Sequence, residues 1–391
     1  MLARPLATLA LWLAAALPAG AQAIDTAARS AILVDLSSDA VLMAKNPDEP
    51  LPPASMSKLM TVLMVFEALE SGKLAEDDTF LVSEKAWRKG GSKMFTKIGD
   101  RIPVADLLRG VIVQSGNDAS IVLAEGLAGS EEAFATRMTK RARELGMETA
   151  SFRNATGWPD PEHRISVRDL AILAKTIVEQ HPERYALFSE RAFAWEGVEQ
   201  SNRNPLLRVA DLGADGLKTG HTEEAGYGMV ASAEQEGRRL VLVVAGLDSS
   251  RARAQEAERI LRWGFRAFET TELLAPGAVV GEAPVWVGEA ESVPLMVEDA
   301  LRITTAFGEG EAAKGELRFD GPLAAPIAKG DEVGVLRISA PGIEPVDVPV
   351  VAGADVARGG FGVKLKAAAG HYLDRGLAAM MGGGDAEPAA E

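Results

Sequence analysis

Apolar and polar positions repeat with a period that changes along the chain, and those changes predict its elements. Ala31–Val34 and Val41–Ala44 are short apolar runs either side of Ser37-Ser38-Asp39, the pattern of a β-hairpin. Pro52 and Pro53 disfavour helix before Ala54. Beyond them Met56, Leu59, Met60, Leu63, Met64 and Ala68 recur at helical spacing, so a loop turns into a buried helix near Ser55. That helix is expected to stop near Glu70-Ser71-Gly72, where glycine takes a left-handed cap. Helical spacing returns over Val104–Val113, Ile121–Leu127, Glu131–Gly146, Ser166–Val178 and Ala254–Phe268. Ser166 and Asp169 open the fourth of these in the manner of a capping box, a structural role. Tyr227–Ala233 and Arg239–Gly246 read as strands joined by a turn at Gln235-Glu236-Gly237. Two stretches lack a clear period. Asn154–Glu162 is a loop. Ser83–Phe95 is glycine-containing, basic and aromatic, and reads as a surface loop, either a plain connection or a rim over an active site.

The pattern shifts after Phe268. Pro284–Val287, Leu301–Ala306, Glu332–Ile338 and Val346–Val351 are short valine-rich runs punctuated by Gly and Pro, which predicts a small β-sandwich or barrel. It carries no recognisable chemistry. In the tail, Leu365, Ala369, Leu373, Leu377 and Met380 recur at helical spacing, with Lys364, Lys366, His371 and Arg375 at other positions. Such an amphipathic helix either lies in a membrane surface or packs on the β domain. At the other end, Arg4, the apolar run Leu6–Leu17 and Ala21-Gln22-Ala23 form a secretory signal, too short to span a bilayer comfortably. The expected organisation is a signal peptide over 1–23, a first domain over 24–268, a small β domain over 269–358, an amphipathic helix over 359–381 and a disordered tail over 382–391. The mature chain is expected outside the cytoplasm.

Composition narrows the chemistry. With 391 residues, 47 % apolar and 25 % charged, the chain is long enough for two domains with a large core. Its 41 basic and 56 acidic residues give a formal charge of −15, against general nucleic-acid binding. The absence of cysteine rules out thiol catalysis, disulfides and zinc–thiolate sites. The four histidines are scattered, with no His-Glu-x-x-His pattern, so neither a metal site nor a cofactor is expected.

Three short motifs carry candidate chemistry. Ser55 and Lys58 stand one turn apart on the predicted buried helix, with the hydroxyl at the positive end of the helix dipole. A buried lysine loses its proton readily, and serine with a neutral amine is a nucleophile with its base. Ser115 and Asn117 flank Gly116 at a helix-to-helix junction, where glycine lets two side chains point into one cleft. In Asp215-Gly216-Leu217-Lys218-Thr219-Gly220-His221-Thr222, the strand-borne Lys218 offers a positive charge and Thr219 a hydroxyl. Gly220 lets a substrate backbone lie close along a sheet edge. Each motif alone has an ordinary structural reading: a capped helix, a turn, a strand with an exposed lysine.

Together, in this order and on these elements, Ser-x-x-Lys, Ser-x-Asn and Lys-Thr-Gly are the set of serine β-lactamases and penicillin-binding proteins. The chain resembles the low-molecular-mass penicillin-binding proteins, specifically the D-alanyl-D-alanine carboxypeptidases. Pro53–Thr61, Ser83-Glu84 with Ala86-Trp87, Asp215–Thr222 with Ala225-Gly226-Tyr227, and Trp263-Gly264-Phe265 all look like that family. Gly116 in the second motif is usual for its carboxypeptidases, and the loop after Trp87 is short for it. The resemblance implies an α+β penicillin-binding transpeptidase/β-lactamase-like domain, an antiparallel sheet flanked by helices, followed by a small all-β domain and a C-terminal amphipathic helix. It implies a Ser55 acyl-enzyme on a peptidoglycan stem peptide ending in D-Ala-D-Ala, with Lys58 as base and Ser115 as proton relay. Asn117 would hold the substrate amide. Backbone N–H groups of Ser55 and His221 would form the oxyanion hole, and Lys218, Thr219 and Arg253 would bind the terminal carboxylate. β-Lactams should acylate the same serine. A class A β-lactamase would need a Glu-x-x-x-Asn between Asn117 and Lys218, and none is present. A DD-endopeptidase and a non-catalytic scaffold for cell-wall peptide are the alternatives, and all the side chains proposed for catalysis being present speaks against the scaffold. The expected location is periplasmic and peripheral on the inner membrane. Deleting Phe361–Met381 is predicted to move the protein from the membrane to the soluble fraction, and unchanged partition would refute the anchor.

Overall fold

The computed structural model describes residues 24–341 and 345–361. β1 (Ser30–Asp35) and β2 (Ala40–Lys45) form the expected hairpin. A single 3-10 turn, Ala54–Ser57, runs directly into α1 (Lys58–Glu70). There follow β3 (Thr79–Leu81), α2 (Glu84–Arg88), β4 (Arg101–Pro103), α3 (Val104–Ile112), α4 (Asn117–Ala128), α5 (Glu131–Glu144), α6 (Val167–Gln180) and the short α7 (Pro182–Tyr185). A small hairpin, β5 (Ala192–Trp195) and β6 (Val198–Ser201), precedes three long strands and a helix: β7 (Ala214–Thr222), β8 (Gly226–Gln235), β9 (Arg238–Leu247) and α8 (Ser250–Ala267).

Five strands form one antiparallel sheet in the order β2-β1-β9-β8-β7, which leaves β7 at an edge. Its central strands are buried on both faces, and their period-two alternation sorts side chains between two cores. Leu240, Leu242 and Val244 meet Ala257, Ile260 and Leu261 of α8, whereas Val241 and Val243 join the larger core built around α1, α3, α4, α5 and α6. Helix α1 is buried nearly all round, as a helix without a polar face must be.

Two stretches differ from their sequence reading. Ser83–Phe95 contains α2, whose start is fixed by Ser83 Oγ accepting from the Ala86 N–H at 3.0 Å. Five residues are too few to display a period. Helix α4 begins at Asn117, ahead of the expected Ile121, because its first turn, Asn-Asp-Ala-Ser, is polar yet buried.

Helix α8 runs directly into β10 (Phe268–Leu274), which starts the second unit. It continues through β11 (Val279–Trp286), β12 (Ser292–Met296), β13 (Leu301–Ala306), β14 (Lys314–Phe319), β15 (Leu323–Ala324), β16 (Glu332–Ser339) and β17 (Val346–Ala352). β10 pairs with β13, and the others form a six-stranded sheet. Leu301 and Ile303 of the small sheet share a core with Val293, Leu295, Leu336, Ile338 and Val350 of the large one, as in a sandwich.

The two units are joined by a buried charge. Asp35 at the end of β1 is fully buried. One of its oxygens accepts from Arg238 Nε at 2.6 Å and from the hydroxyls of Thr270 and Thr304 at 3.0 Å each. Arg238 also donates to the carbonyls of Gly264 and Phe268.

The expected signal peptide, the helix over 359–381 beyond Phe361 and the tail over 382–391 lie outside the described residues. No described helix is long and apolar enough to cross a membrane. Removing Asp35 strands a mostly buried guanidinium, a change that typically costs about 3–5 kcal/mol. Asp35→Ala is therefore expected to lower the urea midpoint clearly, and an unchanged midpoint would show that the junction contributes little.

Candidate active site

The site is assembled from four stretches that the chain holds far apart. Ser55 lies in the 3-10 turn before α1, and Lys58 is the first residue of that helix. Nζ of Lys58 is 2.8 Å from Ser55 Oγ and donates to the Thr156 carbonyl at 2.6 Å. The lysine is fully buried. Burial, followed by the charge of Lys218, holds its amine well below the usual lysine range, while Asp118 opposes the shift. One N–H committed to Thr156 leaves a neutral amine able to turn its lone pair to the serine.

The second motif sits at the α3–α4 junction. Ser115 adopts φ +59°, uncommon for a residue with a side chain. Its Oγ accepts from Lys218 Nζ at 2.8 Å. Asn117 opens α4 and donates from Nδ2 to the Gly90 carbonyl at 2.8 Å. Lys218 is 2 % exposed, which sets aside an ordinary exposed strand lysine. Burial, with help from Arg203 and Arg253, pushes its pKa down to about 7. A carboxylate brought beside it would restore the charge.

Edge strand β7 passes across the serine turn. A Cβ on Gly220 would lie 3.0 Å from the Pro53 carbonyl, so the strand approaches that backbone closely. Thr219 is mostly buried beside Lys218, whereas His221 is exposed and stacks on Tyr227 at 3.8 Å between ring centroids. Arg253 on α8 is 9 % exposed, stands 5.8 Å from the Tyr227 ring and has a buried Nε without a partner among the described residues.

Sequence reasoning missed the groups that hold these side chains in place. Asp118, next to Asn117, is fully buried and accepts from the backbone N–H groups of Met94, Phe95 and Thr96 at 2.8–3.1 Å. It ties the loop after α2 to the second motif. Asn154 Oδ1 gathers the N–H groups of Thr156, Gly157 and Trp158 at 2.8–3.1 Å, shaping the turn that presents the Thr156 carbonyl. Gly157 is required there: at φ +76° a Cβ would meet the Ala54 carbonyl at 1.8 Å. His163 closes the same loop. Its Nδ1 accepts from the Arg153 N–H, so the proton resides on Nε2, 2.8 Å from Ser57 Oγ. Arg203 was also missed. Buried Asn202 and Asn204 flank it, Asn204 donates to the Gly216 carbonyl, and its positive charge acts on both Lys58 and Lys218. The only sequence signal was the turn-forming run Ser201-Asn202-Arg203-Asn204-Pro205.

An antiparallel sheet edge beside a serine hydrogen-bonded to a buried lysine, faced by a second lysine from that edge, defines a serine hydrolase of the penicillin-recognising class. A family model for D-alanyl-D-alanine carboxypeptidases matches residues 17–249, and one for the C-terminal domain of penicillin-binding protein 5 matches residues 268–358. The chain belongs to the D-alanyl-D-alanine carboxypeptidase family and is a serine peptidase of that class. It is 40 % identical to the D-alanyl-D-alanine carboxypeptidase DacC of Escherichia coli strain K12 over 341 residues, 85 % of each chain. Penicillin-binding protein 5 from Haemophilus influenzae superposes with a TM-score of 0.82 at 36 % identity, over 87 % of this chain and 100 % of that one. Penicillin-binding protein D2 from Listeria monocytogenes in its ampicillin-bound form superposes with a TM-score of 0.57 at 29 % identity, over 61 % of this chain and 98 % of that one.

The loop anchor carries a pH signature. Burial is the main cause that lowers the His163 pKa from 6.5 to about 4. The unfolded chain therefore takes up this proton below about 6.5 and the folded protein only below about 4. The stability contribution is complete above the upper value and declines as pH falls through the window. Thermal unfolding of the wild type is expected to lose more between those pH values than that of His163→Gln, which supplies a donor and an acceptor but does not titrate. Equal losses would refute the assignment.

Proposed function

We propose that Ser55 Oγ attacks the carbonyl between the two terminal D-alanines of a peptidoglycan stem peptide, while Lys58 Nζ takes the hydroxyl proton. The C–N bond then breaks, Ser115 relays a proton to the departing amine, and free D-alanine leaves an ester on Ser55. Water hydrolyses that ester and restores the serine. The observation that carries this reading is the fully buried Lys58 amine 2.8 Å from Ser55 Oγ, where burial lowers its pKa.

The remaining roles are those the family resemblance implies. Backbone N–H groups of Ser55 and His221 stabilise the oxyanion, a contribution of about 3–4 kcal/mol per donor in such sites. Asn117 holds the amide on the acyl side. Gly220 lets the substrate backbone lie against the open edge of β7. Lys218, Thr219 and Arg253, joined by Arg203, receive the terminal carboxylate, which supplies the anion their uncompensated charge lacks.

β-Lactams present a strained amide in place of the D-Ala-D-Ala bond and acylate the same oxygen. The sequence pattern of residues 1–23, which reads as a secretory signal, and the helical spacing of Leu365, Ala369, Leu373, Leu377 and Met380 support an exported enzyme on the periplasmic face of the inner membrane. The family relatives and the cell-wall substrate fit that location.

Two measurements test the chemistry together. Wild type is expected to release D-alanine from an acyl-D-Ala-D-Ala pentapeptide and to take a covalent label from penicillin. Ser55→Ala is expected to lose both, by about 10⁴-fold or more in turnover. A label that survives the substitution would overturn the role of Ser55. Faster cleavage of a cross-linked dimer than of the pentapeptide would favour endopeptidase action.

A further inference from the structure

We propose that Lys89, laid over the ring of Trp158, selects the side chain on the acyl side of the scissile bond and favours one that carries a carboxylate. This rests on the reading of the site given above and extends it to the residue preceding D-Ala-D-Ala.

Trp158 is 41 % exposed at the lip of the site, although its backbone is fixed by Asn154. Lys89 Nζ stands 4.2 Å from the centroid of its ring, an arrangement that holds an ammonium in place without neutralising it. Among the described residues no carboxylate pairs with Lys89. Glu131, whose charge acts on Lys89, is engaged at 2.8 Å by Lys85 and accepts from the Ala155 N–H. The Lys89 charge is therefore available to a ligand.

Its place relative to the reaction is set by Asn117. Gly90 and Gly91 lie between the indole and that amide. A Cβ on Gly91 would come 2.8 Å from Asn117 Nδ2 and 3.2 Å from the Trp158 ring. Gly91 has φ +78°, a conformation side chains rarely adopt, and its backbone is flanked by the Asn117 amide on one side and the Trp158 ring on the other. Lys89 is also near enough for its charge to act on Lys58.

The mouth thus carries two separate positive groups on a chain whose formal charge is −15. Lys218, Arg203 and Arg253 face the leaving residue. Lys89 stands on the Asn117 side, where the acyl portion emerges. An aliphatic side chain ending in a carboxylate would lay its methylenes on the indole and its charge against the ammonium. A side chain ending in an amine would meet like charge.

The test compares three acyl-X-D-Ala-D-Ala peptides in which X is 2-aminopimelyl, Nε-acetyl-lysyl or lysyl. Wild type is expected to show kcat/KM about tenfold higher for the carboxylate peptide than for the ammonium peptide. Lys89→Met should bring that ratio close to one, and Lys89→Arg should restore it. A wild-type ratio near one, or a Lys89→Met loss equal for all three peptides, overturns the proposal. Acylation by 6-aminopenicillanic acid, which has no acyl side chain, is measured alongside. Acylation with charge-blind peptide turnover overturns the selection by Lys89 alone. No acylation overturns the Ser55 chemistry on which it rests.

Discussion

A lysine amine shut away from water, with no carboxylate in contact, is the condition on which the rest of this molecule depends. In water the amine of Lys58 would be protonated and useless as a base. Here it opens a helix buried nearly all round, and the nearest carboxylate, Asp118, is occupied by backbone N–H groups. The Thr156 carbonyl takes one hydrogen and so fixes direction as well as position. Lys218 adds a second positive charge that makes protonation of Lys58 still less favourable. The large core is what makes this possible, because desolvating two lysines in one place destabilises the fold and must be offset elsewhere.

The surrounding backbone is held as firmly as the side chains. Ala54, Phe95 and Ser115 all carry positive φ, at 47°, 69° and 59°; Ala54 precedes the serine, Ser115 belongs to the second motif, and Phe95 lies in the loop tied to it by Asp118. Each is restrained by a neighbour: Ala54 by the close approach of Gly157, Phe95 by the carboxylate of Asp118, Ser115 by Lys218. Strained turns and buried clamps are two halves of one arrangement, since neither would persist alone.

Much of this was legible in the sequence, for a physical reason. Hairpin and buried helices each repeat with their own period, the first two motifs sit at ends of helical segments, and the third identifies its strand by its own residues. Helix α2 escaped because five residues make barely more than one turn. The early start of α4 escaped because its polar first turn is buried, against the usual association of polarity with exposure. Asp118, Asn154 and His163 were invisible because each bonds main-chain N–H groups, Asp118 across to a separate loop and the other two within their own, and main-chain groups leave no trace in residue type. Arg203 acts from beside two buried asparagines that sequence alone reports only as turn formers.

One feature of the sheet has a cost outside catalysis. Among the described residues no strand lies beside the outer side of β7, and such a border is a template on which a second molecule can continue the hydrogen-bonded ladder. Closing it with a resident strand would remove the place where substrate lies. The turn that ends β7 carries Glu223 and Glu224, and Glu224 is held by Arg164 at 2.8 Å, so the end of that border is a charged, ion-paired turn and not an apolar one. Solubility and the geometry of the groove are thereby one problem: the same unpaired main-chain groups that can receive a peptide must be kept from receiving another sheet.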